Sequence, residues 1–479
     1  MALLNRPDPD LLHALAERLG PAGFTTDGHE MAPWLTDWRG RVQGSAAAML
    51  SPASRDEVQA IVRLAARARV ALVPQGGNSS MVAGATPVDG ALLLSMRRMR
   101  TIRGLSAEDN IAIVDAGVIL SDLHEAAATI GRRFPLSLAA KGTATIGGLI
   151  STNAGGTQVL RHGSMRALLM GVEAVLPDAS LFEGLSPLRK DNRGYDLRQL
   201  LAGAEGTLGV VTGASLRLVP AIGSRAVAWV GLAGAEHALA LLRRLEQSME
   251  GAIEGFELLP RAALELVLHH IDGARDPLGQ PHRWYVLVEA VAPTGAPDPA
   301  EALADLLAAG IAEDATIAFS EKQADALWAL RENVSEAERR DGISVKHDVS
   351  VPVAAMPDFM ARAQEAVEAA FPGARILAFG HLGDGNVHFN VRNPADEDAA
   401  AWFARNHEAV SRMVHDLVTV QGGSISAEHG IGQLKLAEFA RLAGPVRLAA
   451  IRGIKSALDP LGIMNPGKLV ALASEAGAP

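Results

Sequence analysis

An Asp-Gly pair, Asp384-Gly385, lies between two short runs that alternate apolar and polar residues. Asp-Gly is among the strongest hairpin signals, because a type I′ turn needs a positive φ at both central residues. With this pair at the centre of the turn, His381 is predicted to pair with His388. Directly paired residues point to the same face, with Cβ atoms roughly 4.5–5.5 Å apart. Asn390 is predicted to share that face, because strand side chains alternate.

A carboxylate and a third imidazole follow downstream, as Glu428 and His429. Two histidines and one glutamate make a three-ligand site that leaves positions open for a substrate, a pattern typical of catalytic metals. The sequence therefore predicts that His381, His388 and Glu428 hold one divalent metal. Zinc is the first choice for these ligands, and manganese or cobalt are alternatives. The other interpretation is a hairpin that packs two histidines without an ion.

Composition limits the class of protein. At 479 residues the chain exceeds the size at which single cores stop growing, so two or three domains are expected. The net charge of −10 argues against a nucleic-acid partner. The lack of cysteine excludes disulfides, cysteinyl cofactor links and cysteine-ligated iron–sulfur clusters. No apolar run is long enough for a transmembrane helix, and residues 1–8 lack signal-peptide features, so a cytoplasmic location is expected.

The order of predicted elements indicates an α+β protein. A capping box at Ser54–Glu57 predicts a helix, and another helix is predicted over 446–458, before Pro460. From about Arg225, strands and a helix over 235–245 alternate, which predicts a separate domain with helices on one face of a mostly antiparallel sheet. The strand-like runs are residues 70–73, 91–94, 111–114, 226–230, 253–259 and 284–288, and the Pro-rich stretch 292–299 is predicted to be a surface loop.

Two glycine-rich loops point to a phosphate-containing ligand. Gly76–Ser80 follows a predicted strand, and glycines let backbone N–H groups approach phosphate oxygens without Cβ clashes. The spacing fits neither a Rossmann nor a P-loop fingerprint, so a plain tight turn is the alternative for this loop alone. A second loop, Gly142–Gly156, carries Ser, Thr and Asn side chains as well. Two such loops are what a large phosphate-bearing cofactor would need.

These segments together resemble the FAD-linked D-2-hydroxy acid dehydrogenases of the vanillyl-alcohol oxidase superfamily. The resemblance runs from about Trp34 to Lys468, nearly the whole chain. The segments that carry it, in order, are 74–84, 142–156, 190–197, 203–209, 381–390, 424–430 and Asn465-Pro466.

The resemblance implies three parts: an FAD-binding domain of two α+β subdomains (1–222), an α+β substrate domain (223–425), and a C-terminal segment that returns to the flavin domain (426–479). It implies non-covalent FAD, since the chain has no cysteine and the first loop has no histidine to form a link. The residues implied to contact FAD are Pro74, Gly76, Gly77, Asn78, Ser79, Ser80, Gly142, Thr145, Gly148, Ser151, Asn153, Glu205, Gly209, Val210 and Asn465.

The resemblance also implies roles at the substrate. Arg331 and Lys346 would anchor carboxylates, with Ser335 and Asn390 beside them, and His429 would be the general base. For the two cations, a solvated helix face is the alternative interpretation. A guanidinium provides a charged fork that suits a planar carboxylate.

The expected reaction is FAD- and metal-dependent oxidation of a D-2-hydroxy acid to the 2-oxo acid. Arg331 with Lys346 favours a dicarboxylate, D-2-hydroxyglutarate or D-malate. A D-lactate or glycolate dehydrogenase on the same fold is an alternative, and a metal-dependent hydrolase is a less favoured one. The resemblance implies an electron-transfer flavoprotein or a quinone as electron acceptor, and a homodimer is an open expectation.

Overall fold

The computed structural model describes residues 4–249 and 251–471. These residues form two compact units. Within the described residues, the first unit contains 4–156, 163–220 and 428–471, and the second contains 157–162, 221–249 and 251–427. No helix in the described part of the chain is both long enough and apolar enough to cross a membrane.

The first unit contains two sheets and a short strand pair. Its strands are β1 (Phe24–Thr25), β2 (Ala46–Leu50), β3 (Leu72–Gln75), β4 (Ala91–Ser95), β5 (Ile102–Ser106), β6 (Ile111–Asp115), β7 (Arg132–Arg133), β8 (Leu169–Val175), β9 (Leu181–Gly184), β10 (Val210–Arg217) and β11 (Val219–Pro220). One sheet has the order β1-β2-β4-β3, in which β2, β4 and β3 are parallel. The other has the antiparallel order β5-β6-β10-β8-β9, and β7 pairs with β11. The first unit is therefore a mixed α+β structure with two separate sheets.

The second unit is built on one seven-stranded antiparallel sheet of order β15-β12-β14-β13-β17-β18-β16. Its strands are β12 (Ile222–Leu232), β13 (Ile253–Pro260), β14 (Trp284–Pro293), β15 (Asp314–Ile317), β16 (Val345–Ser350), β17 (Arg375–His381) and β18 (Asn386–Arg392). The α+β class and the antiparallel sheet predicted from the sequence are confirmed.

The α-helices, in chain order, are α1 (Pro9–Leu19), α2 (Gly28–Leu35), α3 (Arg55–Ala68), α4 (Leu120–Ala128), α5 (Ile146–Thr152), α6 (Val159–His162), α7 (Met165–Leu168), α8 (Leu197–Leu201), α9 (Ala235–Ser248), α10 (Arg261–His270), α11 (Pro299–Ala308), α12 (Glu321–Glu332), α13 (Val334–Asp341), α14 (Met356–Ala370), α15 (Ala399–Val420), α16 (Leu436–Leu442) and α17 (Pro445–Leu458). Two 3-10 turns span Met96–Arg98 and Val353–Ala355.

The capping box predicted for α3 is present in slightly altered form. The Ser54 hydroxyl accepts a hydrogen bond from the N–H of Glu57 at 3.3 Å, and the Glu57 carboxylate accepts from the N–H of Ala53 at 2.8 Å. Both bonds satisfy backbone donors near the first turn that have no partner within the helix. The apolar residues at helical spacing, Val58, Ile61, Val62 and Ala65, are all buried.

The C-terminal segment joins the first unit through β3. The N–H of Leu72 donates to the carbonyl of Ile463 at 2.8 Å, and the N–H of Asn465 donates to the carbonyl of Leu72 at 2.8 Å. A buried ion pair between Lys455 and Asp459 closes the end of α17, and Asp459 also accepts from the N–H of Ile463 at 3.1 Å. The C-terminal segment therefore packs on the first unit.

Helices cover both faces of the second unit's sheet, so the prediction of helices on one face is wrong. Ala228 and Val230 of β12 pack in one buried cluster, whereas Val227 and Trp229 of the same strand pack in another. Because the residues on both faces of this strand are apolar, each face must be buried by other elements. The predicted loop 292–299 is also shorter, because β14 continues to Pro293 and α11 begins at Pro299.

The hairpin at Asp384-Gly385 forms, but its register differs by two residues from the prediction. His381 pairs with Asn386 and not with His388. Gly385 has φ 80°, whereas Asp384 does not have a positive φ, so the type I′ turn is absent. The Asp384 carboxylate instead accepts from the N–H of Asn386 at 3.0 Å. The predicted register is wrong, yet both histidines keep a common face because a shift of two residues preserves the alternation.

Candidate functional site

His381 and His388 form a close pair on one face of the seven-stranded sheet. Their ring centroids lie 5.5 Å apart at an interplanar angle of 76°, and a nitrogen of one ring lies within 4.8 Å of a nitrogen of the other. Zinc–nitrogen distances are about 2.0–2.1 Å, so small rotations of the side chains bring both nitrogens within reach of one ion. The structure thus brings together two of the three predicted metal ligands.

A buried carboxylate fixes the orientation of His381. Glu257 is fully buried, and its Oε1 lies 2.5 Å from Nδ1 of His381. If Nδ1 carries the proton, the Nε2 lone pair is the one that can bind a metal. A carboxylate that holds the second nitrogen of a histidine is the usual outer partner of a histidine ligand, because it sets the tautomer and the ring orientation. The donor set of this face therefore fits a divalent metal.

Arg331, a predicted substrate anchor, is the second partner of Glu257. Its Nε donates to Oε2 of Glu257 at 2.7 Å, and its guanidinium lies 4.9 Å from the ring centroid of Phe379. Burial opposes the charge of Glu257, but His381 and Arg331 outweigh burial and lower the pKa of Glu257 to about 2. Much of the Arg331 charge is thus balanced within the protein.

The segment that leads to Glu428 runs beside β16. Ser424 forms an antiparallel bridge with Ser350, and the N–H of Ala427 donates to the carbonyl of Asp348 at 3.3 Å. Asp348 is in turn the register partner of His388. Glu428 directly follows Ala427, so the chain separates from β16 beside Asp348, the residue that pairs with His388.

Glu428 and His429 offer ligand atoms within 4.8 Å of each other. Both residues are partly exposed. The ligand role of Glu428 and the base role of His429 stay predictions.

Lys346 and Asn390, also predicted at the substrate, are register partners on β16 and β18. The ammonium of Lys346 donates to Oε2 of Glu338 at 2.7 Å, and the amide of Asn390 donates to the same oxygen at 2.9 Å. Glu338 is fully buried on α13, where Ser335 lies exposed three residues earlier. The structure brings Lys346 and Asn390 together around one carboxylate, and Ser335 neighbours it along the helix.

Two further acidic groups make the site strongly anionic. Asp348 is buried and accepts from the amide of Asn386 at 2.8 Å. Burial raises the pKa of Asp384, His381 opposes this rise, and the charges of Glu257 and Asp348 add to it. Repulsion among close carboxylates is relieved by a bound cation, which again fits a metal on this face.

The predicted cofactor loops meet in the first unit. A Cβ built on Gly76 would lie 2.1 Å from Oγ1 of Thr145, and one on Gly77 would lie 1.9 Å from the carbonyl oxygen of Thr143. Glycine is therefore required at both positions because the two loops pack closely together. The sequence had suggested only the approach of a phosphate group as the reason. A Cβ on Gly142 would meet no atom within 4 Å, so open space remains beside the second loop.

Several predicted cofactor residues shape the backbone through their side chains. The Asn78 amide donates to the carbonyl of Thr36 at 2.9 Å, and the Ser80 hydroxyl accepts from the N–H of Gly84 at 3.0 Å. The Asn153 side chain accepts from the N–H of Arg166 at 2.9 Å. The remaining residues lie in or beside the same elements: Pro74 in β3, Ser79 in the first loop, Gly148 and Ser151 in α5, and Gly209 and Val210 at the start of β10.

Glu205 joins these loops to the C-terminal segment. Its carboxylate accepts from the N–H groups of Ile431 and Gly432 at 2.8 and 2.7 Å, and its own N–H donates to the carbonyl of Ser151 at 2.7 Å. The amide of Asn465 donates to the carbonyl of Glu205 at 2.7 Å. Burial raises the pKa of Glu205, while the two N–H groups oppose this rise. The two glycine-rich loops are therefore fixed by these contacts, and their backbone N–H groups and small polar side chains are suited to binding FAD.

Three buried carboxylates of the site, Glu257, Glu338 and Asp348, were not predicted from the sequence. A signal was present for Glu257, which lies in the middle of the otherwise apolar run 253–259. A charged residue inside a buried strand must be paired, so its partner is worth seeking among distant cations and histidines.

Two family models match the chain. The model described as "FAD binding domain" matches residues 46–184, and the model described as "FAD linked oxidases, C-terminal domain" matches residues 223–469. The second match alone covers more than half of the 479 residues. The chain belongs to the FAD-linked oxidase family. The expected FAD cofactor is therefore confirmed for this FAD-linked oxidase.

Curated relatives extend over nearly the whole FAD-linked oxidase. A mitochondrial D-2-hydroxyglutarate dehydrogenase of Bos taurus is 36% identical over 462 residues, which are 95% of this chain and 83% of the relative. A D-2-hydroxyglutarate dehydrogenase of Xanthomonas citri is 36% identical over 464 residues, 96% and 97% of the two chains. A Schizosaccharomyces pombe protein provisionally named a mitochondrial D-lactate dehydrogenase is 32% identical over 458 residues, 93% and 86%.

Solved structures of the same fold are more distant in sequence. A p-cresol methylhydroxylase with bound substrate matches with a TM-score of 0.75 at 14% identity, covering 97% of each chain. An alkyldihydroxyacetonephosphate synthase matches with a TM-score of 0.73 at 18% identity, covering 98% of this chain and 87% of the other. At these identities the likeness concerns the fold alone.

The contact between the two loops gives a testable prediction. Gly77→Ala places a Cβ against the backbone oxygen of Thr143, which cannot move aside as a flexible side chain can. Such overpacking costs roughly 1–3 kcal/mol, so the purified variant is expected to contain much less FAD per chain by flavin absorbance. Gly104→Ala is the control, because its Cβ would meet no atom within 4 Å. Wild-type flavin content in Gly77→Ala would contradict the loop packing.

Proposed function

We propose that the chain oxidises D-2-hydroxyglutarate to 2-oxoglutarate with FAD and one divalent metal. The observation that carries the proposal is one sheet face that holds the His381–His388 pair together with Lys346 and Asn390. The names of the relatives at 36% identity support the same substrate. D-Malate, a shorter dicarboxylate, is the second substrate that this set of groups would suit.

The charges of this face support the metal. Arg331 and Lys346 contribute two positive charges, and each forms an ion pair with one carboxylate, Glu257 and Glu338 respectively. Asp348, the register partner of His388, adds a third negative charge. Without a metal, this set would repel a substrate that carries two carboxylates. A divalent ion on His381, His388 and Glu428 would reverse that balance, polarise the substrate hydroxyl and hold its α-carboxylate.

In the proposed reaction, His429 would take the proton of the substrate hydroxyl. Bound FAD would supply the acceptor for the hydride that leaves C2, so that the 2-oxo acid forms. Glu257 keeps His381 oriented during the reaction through the Nδ1 contact. Lys346 and Asn390, both held by Glu338, would position the distal carboxylate. We propose an electron-transfer flavoprotein or a quinone as the final electron acceptor.

A D-lactate dehydrogenase is the second candidate, and one observation favours it. Lys346 already has a carboxylate partner in Glu338, which lowers its need for a distal carboxylate on the substrate. The relative from Schizosaccharomyces pombe carries that activity in its provisional name.

Anaerobic reduction of the bound flavin tests the proposed substrate. The oxidised protein is mixed without oxygen with D-2-hydroxyglutarate, its L-enantiomer, D-malate, D-lactate or glycolate, and flavin absorbance is followed. We expect D-2-hydroxyglutarate to bleach the flavin with the largest ratio of reduction rate constant to dissociation constant. Faster reduction by D-lactate would favour the second candidate, and absence of reduction by every acid would reject both.

Lys346→Met tests the recognition of the distal carboxylate. Loss of a charge-assisted contact costs roughly 1.5–3 kcal/mol, and it should weaken D-2-hydroxyglutarate more than D-lactate in the same flavin assay. Lys322→Met, an exposed lysine on α12, is the matched control. Equal losses for both acids would mean that Lys346 binds the shared α-carboxylate or only stabilises the fold, and thermal melting separates these two cases.

A further inference from the structure

Three arginines line a cavity of about 300 Å³ in the first unit. Arg97 and Arg98 belong to the 3-10 turn that follows β4, and Arg100 lies just after it. Thr143 and Thr145 also line this cavity. Among the described residues that line the cavity, none carries a carboxylate.

The arginine turn is held in place by Gly117. A Cβ on Gly117 would lie 2.1 Å from the carbonyl oxygen of Met96, and the N–H of Gly117 donates to the carbonyl of Met99 at 2.8 Å. The backbone of the turn therefore packs directly against the chain that follows β6. This packing fixes the backbone positions from which the three arginine side chains extend.

Arg97 is the most enclosed of the three. Its guanidinium lies 3.4 Å from the ring centroid of Trp34, and its Nε donates to the hydroxyl of Ser95 at 3.2 Å. Burial lowers the pKa of Arg97, and the nearby charge of Arg100 lowers it further. Neither the ring nor the hydroxyl neutralises a positive charge. An anion in the cavity would stabilise both arginines.

We propose that this cavity binds a phosphoryl group, with Arg97 as the main cation and Arg98 and Arg100 at the margin. A guanidinium donates two parallel hydrogen bonds to phosphate oxygens, which makes arginine suited to this ligand. The Thr145 hydroxyl accepts from the N–H of Gly148 at 3.4 Å and can donate one further bond to such a group, whereas the Thr143 hydroxyl donates to the carbonyl of Ala140 at 3.2 Å.

The diphosphate of FAD is the favoured source of the phosphoryl group. Thr143 and Thr145 form part of the loop that packs on Gly76 and Gly77, so the cavity adjoins both loops of the flavin domain. Free inorganic phosphate has the same chemistry and is the other source. The proposal rests on FAD binding by the family and not on the proposed substrate.

The test uses purified holoenzyme with Arg97→Met, Arg100→Met and the control Arg63→Met, an exposed arginine on α3. Flavin release on serial dilution gives the dissociation constant of FAD, and calorimetry measures binding of inorganic phosphate to the same samples. With the FAD diphosphate in the cavity, Arg97→Met should raise the FAD dissociation constant roughly tenfold or more. Arg100→Met should give a smaller rise, and the control should behave as wild type.

A second supporting result identifies free phosphate as the source: wild-type holoenzyme binds phosphate, Arg97→Met loses that binding, and FAD affinity is unchanged. The proposal is overturned if both cavity variants match Arg63→Met in FAD affinity and in phosphate binding. If Arg97→Met does not fold, Arg100→Met carries the same comparison, because its side chain is exposed. Flavin reduction by the hydroxy acid is measured separately, so failure here leaves the proposed function untouched.

Discussion

The candidate site depends on one buried carboxylate, Glu257. A charge without solvent exposure must be paired, and Glu257 pairs with both His381 and Arg331. Removing one partner of such a buried group typically costs 3–5 kcal/mol, so the group constrains what lies around it. Through these two contacts it sets the orientation of a histidine on β17 and the position of a cation on α12. His381 and Arg331 therefore share one support.

Much of the architecture could be predicted because its signals are local. The helix after Ser54, the strands of the second unit and the shared face of His381 and His388 follow from periodicity and capping, which need only neighbouring residues. The register of the hairpin could not be obtained in this way. Asp384-Gly385 predicts a two-residue turn, but Asp384 caps the N–H of Asn386 and a longer loop forms.

The partners of the site residues were beyond the reach of the sequence because they are far apart along the chain. Glu257 lies 124 residues before His381, and Glu338 lies 52 residues before Asn390. No local pattern joins such positions. The arginine-lined cavity could not be predicted for the same reason. Arg97 and Thr145 are distant in the sequence and line one cavity only in the folded flavin domain. The net charge of −10 carries no information about a local cluster of arginines.

Metal binding by Glu257→Gln tests the central claim most directly. Metal content and affinity are measured by elemental analysis and competitive chelation, with FAD content followed by absorbance. Glu338→Gln is the matched control, because it changes a buried carboxylate that bonds Lys346 and not a histidine. The account predicts that Glu257→Gln lowers metal affinity roughly 10–100-fold, while the control keeps its metal and both variants keep FAD. Unchanged metal affinity in Glu257→Gln, or wild-type protein without a stoichiometric metal, would contradict it.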